Sequence, residues 1–366
     1  MARAWIDGRP AALAEAVGKA ATLLAGSRAP LVAGLGTDVA GARAAIRLAE
    51  RIGAAIDHMN SDALFADLAV MRETGIMLTT PNEARLRADT LLLVGPDLEE
   101  AWPELSWVEA SPASLAGAAR SVVWLCPGRA LPTPPRDGFR IIGRDPVVLP
   151  VLLAALRARL AGRRAGRIAI PARAIDELAT LLKAARFGVA IWSAGSLDSL
   201  AIEMLCGIVD DLNAQTRFAG FSVAPPDNAT GVQQVSGWMT GFPLRTGFGR
   251  QYVEHDPWRF DAARLVASRE ADCVLWISAY RAALPPWGGA RADGPPVIGL
   301  ITGDAAPSDR PAVQIEVGHP GVDHDAVEHF PPVGTLVAVA AARRSEALSV
   351  ADAIGRIAGA LGEVSP

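Results

Sequence analysis

His319, His324 and His329 recur every five residues beside Asp323, Asp325 and Glu328, the densest set of candidate metal donors in the chain. Five residues along a helix rotate a side chain about 140° out of line. Pro320, Gly321, Pro331 and Pro332 argue against a helix there in any case. The i, i+4 spacing of a zinc-binding H-E-x-x-H is absent. A loop could gather two of these groups, but a hydrated polar loop is the fuller account.

Other chemical signals are weaker still. Ser193-Ala194-Gly195-Ser196 lacks the G-x-S-x-G frame that presents a nucleophilic serine, so Ser196 reads as a helix cap. Gly34-Leu35-Gly36 with Gly41 has the wrong spacing for a dinucleotide loop, and tight turns between strand and helix explain these glycines. Asp210-Asp211 and Glu99-Glu100 read as solvated pairs. Cys126, Cys206 and Cys273 lie far apart, each in an apolar run. That is the pattern of buried free thiols in a reducing compartment. With no C-x-x-C, this chain cannot build an all-thiolate iron–sulfur or zinc site.

Composition narrows the classes further. A net charge of −4 argues against a general nucleic-acid binder, which shows a basic face. Lys19 and Lys183 are the only lysines, so arginine carries the positive charge, as a GC-rich genome would favour. No apolar run approaches the ~20 residues that span a bilayer. Asp7, Gly8 and Glu15 interrupt the apolar core that a signal peptide needs. The expected location is the cytoplasm.

The elements that must position these residues follow a simple rhythm. Short apolar runs at 30–34, 54–57, 90–94, 121–125, 139–142 and 188–192 predict strands. Helical spacing appears over 38–52, capped by Thr37 or Asp38, over 196–213, and again over 345–361. Strands alternating with helices predict an α/β fold with mainly parallel sheets covered on both faces. Arg87-Ala88-Asp89 before TLLLVGPDLEEAWP resembles Arg269-Glu270-Ala271-Asp272 before CVLWISAYRAALPP. The match predicts two related Rossmann-like lobes, 1–165 with a wrapping segment over 110–150 and 166–366 with a C-terminal helix. Folds of this kind place ligands in a cleft where lobes meet. The segment 161–173 reads as a crossing strap, and 285–296 as a loop.

One stretch is too particular for generic readings: LNAQTRFAGFSVAPPDNATGVQQVSGWMTGFPLRTGFGR, from Leu212 to Arg250. Its many polar groups must find partners, and a long ordered loop usually has a task. L-N-x-x-T-R-F, N-A-T-G-V-Q-Q-V, W-M-T-G-F-P and the following F-G-R resemble the B-type subunit of formylmethanofuran dehydrogenase, of the molybdopterin oxidoreductase superfamily. The resemblance runs through most of the chain from about Ile6, including PLVAGLGTDVAGARAAIRLAERIGAAIDHMNSDAL.

In the redox enzymes of that family, a cysteine or selenocysteine in the metal-ligand loop that ends this last segment holds tungsten or molybdenum. Aligned on Ile56-Asp57 and Ser61, the ligand position here falls on Ala63 or a neighbour. The only sulfur from Asp57 to Phe65 is Met59, a neutral thioether and a poor substitute for thiolate. The family's N-terminal cysteine cluster for an iron–sulfur centre has no counterpart here. The resemblance therefore implies a molybdopterin-oxidoreductase-like core lacking the iron–sulfur domain, with neither tungsto- or molybdopterin nor iron–sulfur cluster on this chain.

That pattern is similar to the B-type subunit of the bacterial formyltransferase/hydrolase complex of methylotrophs. The resemblance implies a non-redox structural subunit whose partners are the hydrolase, formyltransferase and C-type subunits, with no nucleic acid and no membrane. The complex would convert formyl-tetrahydromethanopterin to formate through a furan coenzyme. Because furan coenzymes of the family carry glutamate-rich tails, Arg245 and Arg250, with Arg259 beside them, are candidate tail contacts. Trp102, Trp107, Trp258 and Trp287 are candidates for partner contacts. Met59, Leu64 and Phe65 are expected to fill the vacated ligand position. Two alternatives stay open: a redox-active dehydrogenase subunit and a free-standing α/β small-molecule binder.

Overall fold

The computed structural model describes residues 3–106, 120–128, 139–250, 252–289, 294–303, 310–343 and 345–363. Trp107 and much of the expected wrapping segment lie outside them. The residues gather into two compact units, each built from more than one stretch. Met1–Ser61, Pro226–His329 and Leu336–Pro366 form the first; Asp62–Pro225 and Phe330–Thr335 form the second. The expected boundary near residue 165 followed chain order, whereas the chain leaves the first unit after Ser61 and returns at Pro226.

The second unit holds a five-stranded, wholly parallel sheet. Numbered along the chain, its strands are β5 (Thr90–Val94), β6 (Ser121–Leu125), β7 (Phe139–Ile142), β8 (Gly188–Ser193) and β9 (Phe218–Val223), in the order β7-β6-β5-β8-β9. Every residue of β5 is buried, as expected where both faces are covered. Alternation along the strands sends Leu92, Val94, Val123 and Trp192 to one face, against α6 (Leu149–Leu160), α7 (Ala172–Ala184) and α8 (Ser199–Asn213). Leu91, Leu93, Trp124 and Ile191 face the other way, toward Phe221 and Trp102. The same unit contains α4 (Pro81–Arg87), α5 (Leu98–Ala101) and nearly all of α3 (Ser61–Glu73).

The first unit is built on a nine-stranded sheet with a parallel centre. There β4 (Ala55–Ile56), β3 (Pro30–Gly36), β12 (Cys273–Ser278), β13 (Val297–Ile301) and β14 (Val313–Glu316) lie side by side. Antiparallel strands extend both edges: β10 (Thr246–Gly247) and β11 (Glu254–His255) beyond β4, and β1 (Ala4–Ile6) and β2 (Arg9–Ala11) beyond β14. The helix α11 (Val350–Glu363) packs on both α1 (Leu13–Ala25) and α2 (Val39–Ile52). Leu31, Val274 and Trp276 meet Ala262 and Val266 of α10 (Ala262–Ala267). A hairpin of β15 (Ala326–Phe330) and β16 (Thr335–Val339) forms a separate two-stranded sheet. The α/β class and the mainly parallel pairing expected from the sequence are both present.

Each sheet has one place where its strand order reverses. In the second unit it lies between β5 and β8, in the first between β3 and β12. At the amino end of each pair stands an aspartate of the internal sequence match. Asp89, just before β5, accepts from the backbone N–H groups of Arg186 and Phe187 at 3.0 and 3.4 Å, just before β8. Asp272, just before β12, accepts from Arg28 and Ala29 N–H at 2.8 and 3.1 Å and from the Ser27 hydroxyl, just before β3. The matching residues thus do one job twice: they fasten the strand pair that flanks each reversal and satisfy N–H groups the ladder does not reach.

Replacing Asp272 by Ala removes bonds to a charged acceptor and is expected to lower the unfolding free energy by about 1–3 kcal/mol. Thermal denaturation measures it, and an unshifted midpoint would contradict the assignment.

Candidate functional site

In open parallel sheets, ligands enter at the carboxyl ends of the strands where the order reverses. In the first unit that place follows Gly36 of β3 and Ser278 of β12. Gly34 and Gly36 lie inside β3 and not in the turn after it. Gly34 and Leu35 have left-handed φ of 79° and 54°, and the pairing with β12 slips a residue between Trp276 and Ser278. Asp38 then caps α2 by accepting from Gly41 N–H at 2.9 Å, one of the two caps the sequence allowed.

Arg281, just past β12, spans the carboxylate of Asp227. Its Nε lies 3.0 Å from both carboxylate oxygens and its Nη2 lies 2.8 Å from Oδ2. The Asn60 amide donates to the same Oδ2 at 3.1 Å and to the Pro226 carbonyl at 3.0 Å. Arg281 Nη2 also donates to Met59 Sδ at 3.2 Å, and the Met59 methyl sits so close to Gly36 that a Cβ there would lie 3.1 Å from it. Asp227 and Asn228 both take left-handed φ, 59° and 58°, turning the chain from Pro226 into α9 (Ala229–Thr240). The Asn228 amide donates to the Thr37 carbonyl at 2.8 Å and accepts from His329 N–H at 2.9 Å. At the ligand end of this sheet the protein's own charges, amides and thioether therefore bond to one another.

A second polar set lies behind it. Arg245, buried and with φ of 58°, pairs with Asp261 at 2.6 Å and Asp57 at 3.5 Å, and donates to the Pro257 carbonyl at 3.1 Å. Asp57 also accepts from Ala262 N–H at 2.9 Å. Burial pushes the Asp57 carboxyl up to about 6, although Arg245 pulls it down. Next to it, burial pushes the fully enclosed His58 down to about 4. The hydrogen bonds agree with a neutral ring: Nδ1 accepts from Asn60 N–H at 3.0 Å, leaving Nε2–H to donate to the Asp227 carbonyl at 3.1 Å.

Arg250 stands apart from Arg245. Its side chain is 58% exposed and reaches Tyr252 and Glu254 at 3.4 Å each, while Arg259 approaches the same glutamate at 3.3 Å. Arg245 is thus a structural clamp, and of the two candidate tail contacts only Arg250 presents its guanidinium outward.

The reversal in the second unit is filled by apolar atoms. Gly95 has φ of 90°, and a Cβ there would lie 2.8 Å from Leu197 Cδ2. Ser196 does not cap the next helix. Its N–H donates to the Ser193 carbonyl at 3.0 Å, and α8 begins later, capped by Asp198 accepting from Ala201 N–H at 2.7 Å. Asp67, half-buried on α3, is bound to Trp192 Nε1 at 3.0 Å and to the Ser222 hydroxyl, and desolvation raises its pKa.

The residues present do not suit a pterin-bound heavy metal. Ala63 lies in the first turn of α3, and Met59 Sδ is engaged by Arg281. Leu64 is buried in the second unit and Phe65 half-buried there; Met59 is half-buried in the first. Burial pushes the thiols of Cys126, Cys206 and Cys273 up to about 11, 12 and 12, which keeps them protonated. His319 and His324 bond to backbone carbonyls of their own turn at 2.7 and 2.9 Å, and burial lowers His329. Among the described residues no three His, Cys, Asp or Glu side chains converge on a metal position.

Sequence reasoning missed Asp227, Arg281, Asn60 and His58. The signal lay in Pro225-Pro226-Asp227-Asn228, a turn with two residues tolerant of left-handed φ, and in an arginine just beyond a buried strand.

No family model matches the chain. It is 37% identical over 284 residues to the B-type subunit of the formyltransferase/hydrolase complex Fhc of Methylorubrum extorquens, covering 77% of this chain and 76% of that protein. It is 26% identical over 283 residues to the B-type subunit of tungsten-containing formylmethanofuran dehydrogenase 2 of Methanocaldococcus jannaschii, covering 72% of this chain and 63% of that protein. The fold matches one chain in the crystal structure of the formyltransferase/hydrolase complex (FhcABCD) of Methylorubrum extorquens in complex with methylofuran. That match has a TM-score of 0.87 at 35% identity and covers 98% of this chain and 99% of that one.

Asp57 and His58 give opposite pH dependences. Between about pH 4 and 6 the folded protein holds a proton on Asp57 that the unfolded chain has lost, so this group adds stability as pH falls. Between about 6.5 and 4 the unfolded chain protonates His58 and the fold does not, so this group removes stability as pH falls. Asp57→Asn is therefore expected to steepen the loss of thermal stability on acidification from pH 6.5 to 4. Unfolding midpoints across that range test it, and a slope matching the wild type would contradict it.

Proposed function

The chain belongs to the family of B-type subunits of Fhc formyltransferase/hydrolase complexes, and from that membership we propose that it is a non-catalytic assembly subunit of such a complex. The complex would take the formyl group of formyl-tetrahydromethanopterin through a furan coenzyme to formate, with the chemistry on the hydrolase and formyltransferase subunits. Its core descends from that of the molybdopterin oxidoreductases. One observation carries the reading. The segment where the redox relatives place a metal-binding thiolate is here the start of α3, with Ala63 in its first turn and the nearby Met59 held by Arg281.

The redox-active alternative needs a soft anionic donor that this segment does not offer. The free-standing binder loses support to the match along nearly the whole of a chain from a multisubunit complex. No helix among the described residues is long and apolar enough to cross a membrane. Separately, the three free, buried cysteines support a cytoplasmic complex.

Assembly requires a face that prefers a partner to water. Of the four candidate tryptophans, Trp102 is buried edge-on against Phe221, and Trp287 packs edge-on against Trp276. Those two close their own units; Trp107 lies outside the described residues. Trp258 is 72% exposed, and the first unit adds Trp238 at 63%, Tyr252 at 56% and Phe242 at 39%. Phe242 stacks on His255 at 5.7 Å, and Arg264 lies 4.5 Å from the Trp258 ring centroid. Exposed aromatic and arginine groups of this kind dominate protein interfaces.

Trp238→Ser with Trp258→Ser is expected to preserve the melting temperature of the chain while reducing co-purification with the other subunits at least tenfold. Turnover per remaining assembled complex should stay unchanged. Full assembly of the double variant, or a fall in turnover without a fall in assembly, would overturn the reading. Arg250 remains our proposed contact for a coenzyme tail. Arg250→Ala should lower coenzyme retention in the assembled complex, and unchanged retention would remove that role.

A further inference from the structure

Six arginines fall between Leu156 and Ala174, in a chain whose net charge is −4. They divide into two kinds. Arg157, Arg159 and Arg173 are paired: Arg157 with Asp211 at 3.0 Å and Arg159 with Asp176 at 2.7 Å join neighbouring helices, and Arg173 pairs with Glu177 at 2.8 Å along its own helix. The side chains of Arg163, Arg164 and Arg167 are exposed and have no hydrogen-bond or ion-pair partner among the described residues. Arg164 and Arg167 border a cavity of about 530 Å³ between the end of α6 and the start of α7, within the second unit.

The interior of that cavity differs from its rim. Ile168, Ile170 and Ile175 line it; Ile175 is fully buried, and the other two pack onto the core. Arg159, fixed by Asp176, adds a third guanidinium at the edge. Placing like charges around an apolar recess costs Coulomb energy that a bound anion would recover, and isoleucine offers a dry surface to hydrocarbon. Arginine also binds carboxylate and phosphate in the same bidentate manner.

We propose that this strap pocket binds a small organic polyanion, with two or more carboxylate or phosphate groups at Arg164 and Arg167 and a short apolar body on the three isoleucines. This pocket is independent of the assembly role and of the exposed aromatic side chains. The two anion chemistries share one recognition mode, and the choice of probe separates them.

Isothermal titration of the full chain, and of the assembled complex, with suberate and with 1,6-hexanediol bisphosphate tests the site. At least one probe should bind both preparations, with an affinity that falls as salt is added. Binding by suberate alone assigns a carboxylate ligand, and binding by the bisphosphate alone assigns a phosphate one. Arg164→Ala with Arg167→Ala should weaken binding at least tenfold without changing the melting temperature. Arg173→Ala, which removes a nearby charge outside the pocket, should leave binding intact. Equal binding by wild type and the double variant would overturn the proposal, as would no binding of either probe. Binding by the free chain that vanishes in the complex would also overturn it, and would give these arginines to an acidic segment of a partner subunit.

Discussion

A carboxylate taken out of water has to be answered by charge and hydrogen bonds, and Asp227 imposes that demand on the first unit. Arg281 supplies the charge, Asn60 an amide, and the backbone carbonyl of Asp227 takes the His58 ring nitrogen. Three segments distant in sequence, 57–61, 226–229 and 279–281, are thereby held together beyond β3 and β12. These are the strand ends where an open parallel sheet ordinarily receives a ligand. Here the groups present pair with one another, and the Met59 methyl lies against Gly36.

The amino ends of the same strands tell the complementary story. Asp272 and Asp89 fasten the pair of strands on either side of each reversal, so both sheets are rigid where their order changes. In the proposed assembly role this rigidity has a use, because partners would dock on surfaces that the sheets position. The polar residues of the 212–250 stretch have the same character. Asn213 donates to the Val209 and Phe218 carbonyls at 2.8 and 2.6 Å, Asn228 bridges two segments of the first unit, and Arg245 clamps Asp57 and Asp261. What marks this family in sequence is, in this structure, mostly the means of building it.

The strands were legible because burial on both faces leaves unbroken apolar runs. The runs at 90–94, 121–125 and 139–142 coincide with β5, β6 and β7. The Asp89 and Asp272 repeat was also visible as a pattern, but its role was not, since each carboxylate bonds to backbone far away in the chain. The stretch 212–250 read as a loop because its glycines, prolines and asparagines resemble punctuation. It is instead β9, α9 and β10, with Asn213, Asp227 and Asn228 absorbing the turns. Arg245 could not be recognised as buried from sequence, because its carboxylate partners include Asp57, far along the chain. The two short edge strands β10 and β11 carry too few residues for any periodicity to register.

The most direct test of the central claim is the cofactor content of the assembled complex. Elemental analysis for tungsten, molybdenum and iron, combined with pterin extraction, should find none of them in stoichiometric amount with this polypeptide. One tungsto- or molybdopterin per copy of the chain would contradict the account, because the segment around Met59 and Ala63 would then have to supply a ligand that its residues do not provide.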